Sequence, residues 1–144
     1  MSGGEYVKNV ILSISGVVGS CITYLIGGWA ECVTVLLIFM VIDYITGVIV
    51  AGVFHKSPKT KTGTLESKTH IKGLFRKLTI FSFIILANLL DKQLGSNYIR
   101  DGVCIAFMVN ELLSIIENAG LMGIPIPKVI TNAIEVLKSN GEHK

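Results

Sequence analysis

The 144-residue chain suffices for one domain, and 51% of it is hydrophobic while only 16% is charged. A soluble domain is about 25% charged; a mean hydropathy of +0.64 leaves too little polar cover for one small soluble core, so the composition indicates an integral membrane protein. The net charge of +3 is too small to argue for nucleic acid, and three Pro exclude a proline-rich chain.

The first apolar run, Val10 to Ile26, is closed by Gly27-Gly28. A helix over about 9–28 spans about 30 Å, the thickness of the hydrocarbon layer. Ser15, Gly16, Gly19 and Ser20 recur at the small-xxx-small spacing that lets membrane helices approach closely. A signal peptide, or a helix lying along the surface, is the alternative for this segment.

The second span, about 32–54, is the strongest. Between Val33 and Phe54 stand 14 Leu, Ile, Val and Phe residues, favouring insertion by about 4 to 8 kcal/mol. Asp43, near the centre, costs about 2.5 to 3.5 kcal/mol on the same scale, so the helix inserts despite its acid. A third run, Leu78 to Leu90, becomes a span of about 74–94 if Arg76 and Lys77 snorkel at one end and Asp91-Lys92 mark the other.

A fourth candidate, about 102–118, is marginal, because Asn110 and Glu111 offset its apolar residues. Asn110, Glu111, Ser114, Glu117 and Asn118 fall at i, i+1, i+4, i+7 and i+8, which places them on one helix face. That stripe must face protein or water. Gly120, Gly123, Pro125 and Pro127 then break the helix. Over about 127–139, Val129, Ile130, Ala133, Val136 and Leu137 alternate at helical spacing with polar residues. This fits an amphipathic helix, either on the membrane surface or packed on neighbouring subunits.

The connection over 55–73 begins a basic run: Lys56, Lys59, Lys61, Lys68, Lys72, Arg76 and Lys77 stand against one acid, Glu66. Flanked by apolar stretches, it reads as a loop at the membrane surface obeying the positive-inside rule rather than as a nucleic-acid patch. With four spans and both termini on that cytoplasmic side, 11 of the 13 Lys and Arg share it; only Lys92 and Arg100 fall outside. Cys21, Cys32 and Cys104 have no metal or disulfide pattern and read as packing residues, and His55, His70 and His143 lack ligand spacing. Neither a metal nor a cofactor is expected. Phosphate-loop, dinucleotide and nucleophile-elbow motifs are missing, so no catalytic residue is assigned.

Five motifs occur in order: Asp43-Tyr44-Ile45-Thr46-Gly47; Lys61-Thr62-Gly63-Thr64-Leu65-Glu66-Ser67-Lys68 leading to Lys72-Gly73-Leu74-Phe75-Arg76-Lys77; Leu89-Leu90-Asp91; Asn110-Glu111-Leu112-Leu113-Ser114-Ile115-Ile116-Glu117-Asn118; and Gly123-Ile124-Pro125-Ile126-Pro127. Together, over about residues 10 to 137, they resemble the phage holin family that includes clostridial toxin-secretion holins. His70-Ile71 departs from the Gly-Phe of many relatives. The resemblance implies a single all-α membrane domain over 1–144. It implies a multi-pass protein of the bacterial cytoplasmic membrane that forms homo-oligomeric lesions in the lipid bilayer. Through these an endolysin, or in some relatives a toxin, is released; an antiholin is a possible partner. The positions it marks for oligomerisation or pore lining are Asp43, Tyr44, Gly47, Asn110, Glu111, Ser114, Glu117 and Asn118. A small ion channel or transporter, and an antiholin of the same fold, are the competing readings.

Overall fold

A computed structural model describes residues 3–142; the side chains at 135 and 137–142, and with them part of the expected amphipathic face, lie outside the described residues. Five α-helices follow one another with no strand among the described residues: α1 (Gly3–Leu25), α2 (Glu31–Ile49), α3 (Ser67–Leu94), α4 (Ile99–Leu121) and α5 (Lys128–Glu142). A π-helical turn, Val50–Phe54, continues α2. Among the described residues three helices are long and apolar enough to cross a membrane: α1, α2 with its π turn, and α3. The fourth, α4, packs most extensively on α2 and then on α3.

The helix ends follow local chemistry. α1 stops where Gly27 and Gly28 adopt φ of 79° and 88°, the left-handed region in which only glycine carries no Cβ penalty. α4 ends in a Schellman turn: the Ile124 N–H reaches the Ala119 carbonyl at 3.0 Å, Gly123 N–H reaches Gly120 at 3.0 Å, and Gly123 has φ 80°. Pro125 and Pro127 then prevent the helix from resuming.

The core is small. Ile26, Val33, Leu36, Met40, Ile80, Ile84 and Cys104 form one buried cluster from α2, α3, α4 and the end of α1. α1 itself buries no residue. Its Gly16, Gly19 and Ser20 border an open groove that Lys92 of α3 lines at one side. Large apolar side chains cover the outside, among them Val17, Ile38, Ile45, Leu86 and Leu90. Such a surface would be a liability in water and is what a hydrocarbon solvent requires.

The basic loop is shorter than its sequence suggested. α3 begins at Ser67, so only residues 55–66 connect the helices, and Lys68, Lys72, Arg76 and Lys77 are helical. Lys68, Lys72 and Arg76 remain exposed, whereas Lys77 turns inward. The reason is register: Lys77 lies at i−3 and i−7 from the buried Ile80 and Ile84, on the core face of α3. α5 seats Ile134 in the protein while Val129 and Val136 stay exposed, so the tail helix packs on α4 with one apolar edge uncovered.

Candidate functional site: a buried ion cluster joining three helices

Asp43 on α2, Lys77 on α3 and Glu111 on α4 meet inside the bundle. Lys77 Nζ donates to Asp43 Oδ2 at 2.9 Å and to Glu111 Oε2. The three side chains are nearly closed off, with 13% exposure for Lys77 and 10% for each acid. Asp43 lies about 18 Å along α2 from Glu31, and Glu111 about 18 Å along α4 from Ile99, so both acids are deep within their helices. Two carboxylates on one ammonium leave the cluster with one excess negative charge or one shared proton.

Asn118 extends the network one level toward the loop. Its Nδ2 donates to Thr46 Oγ1 at 2.9 Å and to Asp43 Oδ1 at 3.3 Å. Ser114, between Glu111 and Asn118 on α4, is half-buried on the same side of the helix. No buried side-chain N or O is without a partner among the described residues. Removing Lys77 would therefore leave two buried carboxylates without a cation, which is far more costly than the net worth of the pair.

A cleft of about 60 Å³ opens beside the cluster. Asp43, Tyr44, Gly47, Lys77 and Asn118 form its inner wall, and Ser57, Pro58, Lys59, Thr69 and His70 its loop-side rim. That is room for roughly two waters. Gly47 faces α4 with room to spare: a Cβ there would lie 3.8 Å from Asn118 Nδ2, an ordinary van der Waals contact. Tyr44 is partly exposed and meets the His70 ring edge-on at 6.1 Å.

The residues marked in the sequence thus separate. Asp43, Glu111, Ser114 and Asn118 converge, with Gly47 beside them. Asn110 and Glu117 are exposed, so the polar stripe of α4 splits into an inner edge and an outer one. Sequence reasoning missed Lys77 as the partner of both acids, since it was grouped with the surface cations; its register with Ile80 and Ile84 was the available signal. Thr46 was missed as well.

A second polar cluster closes the opposite end. Asn88 Nδ2 donates to the Leu25 carbonyl at 2.8 Å, and Arg100 Nη1 to the Gly27 carbonyl at 2.9 Å. Asp91 caps α4 from outside: its oxygens accept the Ile99 and Arg100 N–H groups at 3.1 and 2.9 Å. Ser96 Oγ also donates to Asp91, at 2.6 Å.

The described fold is thus that of an all-helical membrane protein with two buried polar clusters between its helices. Comparison with known proteins gives the family. Residues 20–139 match the bacteriophage holin family, and the chain belongs to it. A protein of Halalkalibacterium halodurans described as uncharacterised is 35% identical, over 88% of this chain and 92% of its own length. A Clostridium perfringens protein, likewise described, is 32% identical over 95% and 99%. A probable holin of Bacillus phage phi105 is 34% identical over 81% of this chain and 82% of its own. No solved structure matches. The family forms membrane pores and is not enzymatic.

Proposed function

We propose that this chain acts as the lysis holin of a phage or prophage, gathering in the bacterial cytoplasmic membrane and opening lesions that release an endolysin. Family membership and the phage relative support the reading. The observation that carries it is the Asp43–Lys77–Glu111 cluster. Ionisable groups deep in membrane helices are expensive and tend to mark pathways or assembly sites. Here they hold the marginal helix α4 on α2 and α3 while the chain is alone. In an assembly the same groups can turn to water instead. Neither state exposes Glu111 to lipid, so two arrangements can lie within a few kcal/mol of each other. Both termini, with the 55–66 loop, then face the cytoplasm, as the positive-inside rule requires.

Inducible expression in bacteria, with an endolysin co-expressed, tests this. The expected result is abrupt release of endolysin activity and lysis. Glu111→Leu should shift lysis time, with Glu111→Gln intermediate. Unchanged timing in both variants would remove the cluster from the mechanism. Conductance of small ions without passage of endolysin would replace the holin reading by that of a channel, and accumulation without killing would replace it by that of an antiholin.

A further inference from the structure

The outward faces of α1, α2 and α3 present large apolar side chains, such as Val17, Ile38, Ile45, Leu86 and Leu90. α4 does not. Its exposed residues are Gly102, Ala106, Asn110, Glu117 and Gly120, and no large apolar side chain from Ile99 to Leu121 is exposed. At 100° per residue these five fall within a face about 80° wide. Of α1 to α4, α4 therefore turns to its surroundings a strip of small and polar residues with no large apolar side chain.

Asn110 stands at the middle of this strip, about 17 Å along a helix about 34 Å long. Its amide makes no side-chain hydrogen bond with the described residues. A carboxamide left in hydrocarbon is costly, and none of the described residues offers it a partner.

We propose that this face is where two copies of the chain meet, α4 against α4, with the two Asn110 amides hydrogen-bonded to each other. The carboxamide carries both a donor and an acceptor, so it complements itself. Ala106 and Gly102, one and two turns away, are small enough for the backbones to approach. Copies inserted in the same direction pair about a two-fold axis along the membrane normal, which brings like positions together. Glu117 lies about 27 Å along α4, near the loop-side end, where water can separate the two carboxylates. The proposal rests on the self-association invoked above and gives it a surface.

Oxidative cross-linking in membranes tests it, in a background with Cys21, Cys32 and Cys104 replaced by serine. Ala106→Cys should give disulfide-linked dimer and Leu86→Cys, on the apolar face of α3, should not. Independently, with the native cysteines kept, Asn110→Leu should weaken self-association measured by energy transfer in liposomes, by roughly five- to thirtyfold. Asn110→Gln should retain it. Equal cross-linking at 106 and 86, or undiminished association of Asn110→Leu, overturns the proposal. So does fast labelling of Ala106→Cys by a membrane-impermeant thiol reagent, which would make the face a water-lined wall. If the wild type associates and lyses cells while Asn110→Leu does so equally, the interface is elsewhere and the holin reading stands. If the wild type neither associates nor lyses, both fall.

Discussion

The Asn88–Asp91–Arg100 cluster and the Asp43–Lys77–Glu111 cluster both join helices through polar side chains, but they meet different needs. The first lies where chain ends meet: its amide, carboxylate and guanidinium pair with the carbonyls that close α1 and the N–H groups that open α4. Those backbone groups would require partners in any fold. The second lies in mid-helix, where every backbone group is already bonded. Its charged side chains bond to one another and to the Asn118 amide, not to helix ends. Polar residues of the first kind fasten a structure; those of the second hold one arrangement against another and can be satisfied elsewhere.

The contrast is sharpest at Lys77. Lys77→Met leaves Asp43 and Glu111 facing each other without a cation, and should cost about 3–5 kcal/mol, seen as loss of folded protein in thermal unfolding in detergent. Adding Asp43→Asn and Glu111→Gln to that variant should restore most of the loss, because no charge then remains buried. Failure of that rescue would mean the cluster fastens the bundle as the end cluster does.

A smaller and more local effect is expected at the end cluster. A Cβ at Gly27 would lie 2.2 Å from Asn88 Oδ1 and 2.7 Å from Arg100 Nη1, at φ 79°. Gly27→Ala should therefore release α1 while α2, α3 and α4 stay packed, at a cost of roughly 1–2 kcal/mol. Limited proteolysis near residues 26–30, with the rest of the bundle protected, would show it. Asp91→Ala should cost about 1 kcal/mol through the lost cap of α4, measurable as a lower unfolding midpoint. Glu117→Gln, on the exposed edge of the same helix as Glu111, should move stability by no more than about 0.5 kcal/mol; a larger change would show that the exposed edge is also held by the fold.

Much of this architecture was legible before any coordinates. Asp43 stood out because one acid sits among 14 strongly apolar residues of the second span. Gly27-Gly28 and Gly123 marked helix ends because their positive φ suits glycine. The stripe of α4 was visible as a period. Which half of it turned inward was not, since Asn110 and Glu111 are adjacent and equally unsuited to lipid. Lys77 was hidden by its company: seven cations in one run look alike until α3's register sends one to the core face and leaves Lys68, Lys72 and Arg76 outside.

The sequence by itself determined the solvent of this protein and the number and order of its helices, because transfer free energy and helical period act locally along the chain. The pairing of Asp43 and Glu111 with one lysine, the fastening of α1 by Asn88 and Arg100, and the bare outer strip of α4 were decided only by the tertiary structure. Each depends on how helices distant in sequence are rotated against one another, and a charge can find its partner only once that rotation is set.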